Sequence, residues 1–95
     1  MKLTIIPIDN AVYKDEIVYS GLDLSSCGIP DGVHALQWHE DAGWIEYESP
    51  LVPNEDITVL PSWADACVAV WQTEYDKQHA AQSIDSLAIP DNIVV

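Results

Sequence analysis

Along the first half of this chain apolar residues alternate with polar ones at a spacing of two. In the second half they recur at three and four. The first pattern predicts short strands and the second an amphipathic helix. Lys2-Leu-Thr-Ile-Ile-Pro-Ile8 is short and β-branched. Because Pro7 has no N–H for a ladder, this segment is expected at a sheet edge or to end as a strand there. Asp9-Asn10 is a turn pair. Val12-Tyr13 and Ile17-Val18-Tyr19 then flank Lys14-Asp15-Glu16 as a tight hairpin, without the glycine that a two-residue turn prefers. Ser20 to Ser26 alternates weakly through Leu22 and Leu24, and Cys27-Gly-Ile-Pro-Asp-Gly32 is a turn by composition.

The clearest element is a second hairpin, Val33 to His39 and Trp44 to Glu48 about the turn Glu40-Asp-Ala-Gly43. Strict alternation puts His34, Leu36 and Trp38 on one face of its first strand and Val33, Ala35 and Gln37 on the other. Ile45 and Tyr47 oppose Trp44, Glu46 and Glu48 on the second strand. The register of the two Trp residues stays open, since one slip exchanges the faces. Residues 49–61, with prolines and an acidic pair, read as a surface connection anchored by Ile57, Val59 and Leu60. Ser62 then stands as an N-cap with Asp65 completing an acidic capping box. Trp63, Ala66, Cys67, Val70, Trp71 and Tyr75 form one helical stripe, with Asp65, Gln72, Thr73, Asp76 and Lys77 outside it. The stripe fades near Gln82. Residues 83–95 read as an extended tail ending on Ile93, Val94 and Val95, whose turn pattern echoes Ile29 to Val33. The tail is expected to dock on the chain's own sheet, to add a strand to a partner, or to stay disordered.

These elements predict an α+β fold: an antiparallel sheet of four or five short strands with one C-terminal helix packed on it. Ninety-five residues hold one such domain, 1–82, and the tail 83–95. The balance of 3 Lys+Arg against 16 Asp+Glu, a formal net charge of −13, argues against nucleic-acid and anionic membrane partners. The first eight residues do not read as a signal peptide, and no apolar run is long enough to span a bilayer. Cys27 and Cys67 form neither a disulfide framework nor a zinc ribbon by spacing, and are expected as reduced thiols made in a cytoplasm.

Catalytic signals are weak. His34 and His39 are expected on opposite faces, and His39-Glu-Asp41 reads as a solvated hairpin tip. Cys27 lacks a cationic neighbour to activate a thiolate. Glu46 and Glu48 share a strand face, as exposed alternation alone would place them. No calcium loop, phosphate loop or nucleophile elbow is present in the sequence. The expectation is therefore no enzyme, no cofactor and no metal, but a chemistry of contact: four Trp and four Tyr on a strongly acidic chain. The interface residues expected are Trp44, Ile93, Val94 and Val95, with Trp38 beside them. An acidic mimic of DNA, inhibiting a host nucleic-acid enzyme, fits the charge too. It requires carboxylates spaced like phosphates over a long face, whereas here they stand singly or in pairs between apolar residues.

Ile29-Pro-Asp-Gly-Val-His-Ala-Leu-Gln-Trp38, Gly43-Trp-Ile-Glu46, Pro53-Asn-Glu-Asp-Ile57 and the helical Trp63 and Trp71 carry a resemblance. With a hairpin turn near Lys14 to Glu16, they resemble small proteins encoded among the tail genes of tailed bacteriophages. The resemblance spans residues 1–77 and omits the tail. It implies a virion component at the tail fibre or baseplate, or a chaperone that helps a fibre fold without staying in the particle. The implied partner is another tail or fibre protein, with self-association a further option. The implied location is the host cytoplasm during synthesis and the virion afterwards. No catalytic residues come with it.

Overall fold

The structure, a computed structural model, describes residues 1–87, with side chains as far as His79. Six antiparallel strands form one sheet: β1 (Lys2–Ile6), β2 (Ala11–Lys14), β3 (Ile17–Tyr19), β4 (Val33–His39), β5 (Ala42–Tyr47) and β6 (Glu55–Ile57), in the order β3-β2-β1-β4-β5-β6. One helix, α1 (Ser62–Leu87), follows. The α+β class holds, and the sheet has one strand more than the upper expectation. The extra strand is β6, taken from the 49–61 connection, where Glu55, Asp56 and Ile57 pair with Ile45, Trp44 and Gly43. Ile57 and Leu60 are half-buried as expected, whereas Val59 is 76% exposed and anchors nothing.

β1 is central, not an edge. It pairs with β2 across a short connection and with β4 some 33 residues away, Thr4 opposite Gln37. Pro7 costs no ladder bond because the strand ends at Ile6 and Pro7 opens a single 3₁₀ turn, closed by Asn10 in the left-handed region. The β2–β3 turn is the two-residue type: Lys14 faces Ile17, and Asp15 and Glu16 both have positive φ, 49° and 73°. Asp15 does the work of the missing glycine. Its carboxylate accepts the Lys2 N–H at 2.9 Å, and its own N–H donates to the Lys2 carbonyl at 2.9 Å. Left-handed Asp is tolerated where such local bonds exist. That Lys2 N–H, and secondarily the Lys14 ammonium, holds the Asp15 carboxyl below the ordinary carboxylate range.

Within β4 the register shifts between Val33 and Ala35, a bulge that breaks strict alternation. Val33 therefore shares the inward face with Leu36 and Trp38, and His34, expected beside them, is exposed. At the far end of the hairpin, Gly43 lies opposite Trp38. A β-carbon at Gly43 would stand 2.0 Å from the Gln37 carbonyl oxygen, so only glycine permits this approach. The turn is also tighter than expected, with β5 starting at Ala42.

One face of the sheet is covered. Leu3, Ile5, Val12, Val33, Leu36, Trp38 and Ile45 pack against Trp63, Ala64, Cys67 and Trp71 of α1 and against Leu24 and Cys27 of the irregular 20–32 crossing. Ala64, missing from the expected stripe, is completely buried, while Ala66 is only half-buried. The contact line thus runs Leu60, Ala64, Cys67, Trp71. The Pro61 carbonyl accepts from the N–H groups of Ala64 and Asp65, so Ser62 is the first helical residue and not the cap. The helix also outruns the expected end near Gln82. With no Gly or Pro between Pro61 and Pro90 to stop it, residues 83–87 are helical, not extended. Residues 88–95, the rest of the expected tail, lie outside the described residues.

Trp71 ties α1 to the outer hairpin. Its indole N–H donates to the Ile17 carbonyl at 3.0 Å, its ring lies 5.8 Å from Tyr19, and the Lys14 ammonium sits 4.8 Å above it. Tyr75 stacks on its other side at 5.0 Å, and His79 on Tyr75 at 3.9 Å. Replacing Trp71 with Ala is expected to cost about 3–5 kcal/mol in denaturant titration. Trp71→Phe, which loses the hydrogen bond and the volume of the second ring, should cost less than Trp71→Ala, about 1–3 kcal/mol. A loss under about 1 kcal/mol for Trp71→Ala would contradict this packing.

The Asp15 shift gives a second expectation. A carboxyl held below its unfolded pKa of about 3.9 stabilises the fold above that pH, and the contribution disappears as pH falls through the folded-state value. Asp15→Asn should therefore be less stable than the native sequence at neutral pH, with the gap closing in acid below about pH 4. Equal gaps in paired denaturant titrations at neutral and acid pH would refute it.

Candidate interaction surface

The register places Val18, Tyr13, Thr4, Gln37, Trp44 and Asp56 side by side in one row across all six strands. Each is one residue out of phase with the core positions, so the row lies on the face opposite α1. Its apolar members are open to solvent: Val18 is 44% exposed, Tyr13 42% and Trp44 40%. Between them the Thr4 hydroxyl donates to the Gln37 side-chain oxygen at 2.7 Å, satisfying both in the middle of the face. The Trp44 indole N–H donates to the Glu46 carboxylate at 2.8 Å, which ties the ring to a negative charge two residues on along β5.

Two shallow grooves open on this side of the sheet. One is lined by Lys2, Leu3, Thr4, Tyr13 and Glu16. The other lies at Trp44, with His39, Gly43, Asp56 and Ile57 among its walls. The arrangement offers ring faces, two carboxylates and a hydroxyl–amide pair, the mixture that favours protein contacts.

Trp44 thus stands where its expected interface role requires, on exposed sheet surface. Trp38 does not. It is 7% exposed on the α1 side, and its indole N–H is taken by the Glu40 carbonyl at 3.0 Å, so it is a core residue and leaves the interface set. Ile93, Val94 and Val95 lie outside the described residues. No protein-family model, curated protein or solved structure matches the chain.

The titratable groups do not converge. His34 and His39 are both exposed, separated by the length of β4. Among the described residues no group of three or more His, Cys, Asp or Glu is placed to hold a metal ion. No described helix is long and apolar enough to cross a membrane. Tyr47 donates to the Glu55 carboxylate, which raises its phenol above the ordinary value and ties β5 to β6. The described carboxylates are spread over the 3₁₀ turn (Asp9), two hairpin turns (Asp15-Glu16 and Glu40-Asp41), the 20–32 crossing (Asp23, Asp31), β5 and the residue after it (Glu46, Glu48), β6 (Glu55-Asp56) and the helix.

Tyr13 and Val18 were not singled out by sequence. Each sits on an alternating strand, but their alignment with Trp44 depends on the long-range pairing of β1 with β4.

The two hairpin tryptophans should behave oppositely. Trp38→Ala is expected to cost about 3–5 kcal/mol of stability, as for a buried ring. Trp44→Ala should cost less than about 1 kcal/mol, as for a surface site. Comparable losses for both in the same denaturant titration would contradict the one-sided burial.

Proposed function

We propose that this chain is a structural and interaction protein of a tailed phage, associated with the tail fibre or baseplate, that binds another tail protein through the open sheet face at Trp44. The observation that carries the contact role is the exposed row Val18, Tyr13 and Trp44 on the sheet face opposite α1. The tail context comes from the resemblance of residues 29–46, 53–57 and the two helical tryptophans. Ile93, Val94 and Val95 form the second element of the proposal, as a strand added to the partner's sheet.

The charge selects the kind of partner. With a net charge of −13 and Glu46 and Asp56 on the same face as Trp44, a surface presenting Lys or Arg beside apolar contacts fits best. Such charges speed encounter and reject acidic surfaces, while the aromatic rings supply most of the binding energy. A fibre-assembly chaperone would use the same face and differ only in leaving before the particle is complete.

Mass spectrometry of purified virions of the encoding phage tests the reading. Peptides from residues 15–77 should appear at a fixed ratio to the major tail proteins. A phage carrying Trp44→Ala should lose most of that signal while the variant protein stays folded in infected cells. Native protein found in infected cells but missing from virions would overturn the structural role and support the transient one. Undiminished incorporation of Trp44→Ala would remove the open face from the interface.

A further inference from the structure

Trp44 stands 40% exposed on the sheet face opposite α1, on the strand next to the β6 edge. Asp56 is its cross-strand partner on β6, so the two β-carbons lie about 5 Å apart and point the same way. Both residues line one open groove of about 420 Å³, with His39 and Thr58 also in its wall. Two residues on along β5, the Glu46 carboxylate accepts the Trp44 indole N–H at 2.8 Å. An indole whose N–H is held by an anion carries more electron density over its rings. Its open face is then a better seat for a cation.

The groove has the charge of a cation seat and no cation of its own. The chain's 3 Lys+Arg are all lysines: Lys2, Lys14 and Lys77. Lys14 lies over Trp71, Lys77 pairs with Glu74 at 3.8 Å, and Lys2 lines the other groove. Among the described residues Asp56 makes no ion pair. The cation that complements Trp44 and Asp56 therefore comes from another molecule.

The geometry favours a guanidinium over other cations. Being planar, it stacks flat on an indole while the N–H groups at its edge reach a carboxylate to the side. A lysine ammonium is a compact, strongly hydrated point charge and cannot serve both at once. A quaternary ammonium takes a cage of several aromatic rings, whereas Trp44 is the one Trp or Tyr among the described residues of this groove.

We propose that Trp44 is the seat of an arginine side chain of the partner, its guanidinium stacked on the indole and paired with the Asp56 carboxylate. Glu46 acts through the indole, enriching the ring face by holding its N–H. This inference rests on the contact role proposed above and narrows it. Because the chain contains no arginine, the occupant belongs to a different protein and not to a second copy.

The full-length isotope-labelled protein is titrated with N-acetyl-arginine amide in low-salt buffer, following the four tryptophan indole N–H signals by NMR. The Trp44 signal is identified by its loss in Trp44→Phe. It should shift saturably, while the Trp38, Trp63 and Trp71 signals move little. The citrulline analogue, of the same shape without the charge, should leave it in place. The lysine analogue should bind at least about threefold more weakly. Asp56→Asn should weaken the arginine compound by about threefold or more, and Glu46→Gln should weaken it too. Asp76→Asn, the same charge change on an exposed position of α1, should leave the affinity unchanged.

Equal affinity for the arginine and lysine compounds, equal weakening by Asp56→Asn and Asp76→Asn, or a Trp44 signal that does not respond would each overturn the proposal. Its failure is distinguishable from that of the contact role. Loss of Trp44→Ala from virions with no response of Trp44 to the arginine compound overturns the arginine seat and leaves the contact role. A Trp44 response that meets these criteria, with undiminished incorporation of Trp44→Ala, supports the seat and removes the tail contact.

Discussion

A single helix can cover only one face of a six-stranded sheet, and the rest of this structure follows from that constraint. Every fully buried large side chain lies on the α1 side, where Leu3, Ile5, Val12 and Leu36 meet Cys67 and its neighbours. The helix alone is too narrow for the sheet, so the 20–32 crossing folds over the same side and contributes Leu24 and Cys27. On the other face, where Ala11 and Ala35 are buried, the row through Val18, Tyr13 and Trp44 stays exposed. It is made tolerable to water by Thr4 and Gln37 at its centre and by the polar ends of Tyr13 and Trp44.

Trp71 is where the cover is fastened. One indole supplies a hydrogen bond to Ile17, an aromatic contact with Tyr19 and a seat for the Lys14 ammonium, all directed at the β2–β3 hairpin. That hairpin ends in a three-residue edge strand, and its turn has two non-glycine residues in the left-handed region. Asp15 secures the turn from the β1 side and Trp71 secures the strand from the helix side. Because the indole bonds the Ile17 carbonyl, the covered face and the sheet edge are held by the same side chain.

The α+β class, the β4 strand, both hairpins and the buried roles of Trp63 and Trp71 were legible in alternation and helical spacing. These are local signals, set by which face each side chain must turn to water. What escaped has a physical reason in each case. β6 is three residues, two of them acidic, and owes its existence to the β5 edge beside it. The β4 bulge inserts one residue and reverses the phase, which no count by twos anticipates. Trp38 and Trp44 look equivalent until the pairing assigns opposite faces to them. The open row from Val18 to Asp56 depends on β1 joining β4, a contact between distant residues that leaves no trace in local pattern.

The order of the elements also governs how the chain meets its surroundings as it is made. β1, β2 and β3 leave the ribosome first and can pair at once, but β4 and β5 follow only after the crossing. The apolar side chains of Leu3, Ile5 and Val12 then wait for Trp71, which is synthesised last among the core residues. At roughly 5–20 residues per second, the 35 positions from Leu36 to Trp71 take a few seconds, during which the growing sheet has one greasy side bare. The excess of carboxylates is already present in that interval, in Asp9, Asp15, Glu16, Asp23, Asp31, Glu40 and Asp41. Their mutual repulsion keeps unfinished chains apart until the helix arrives.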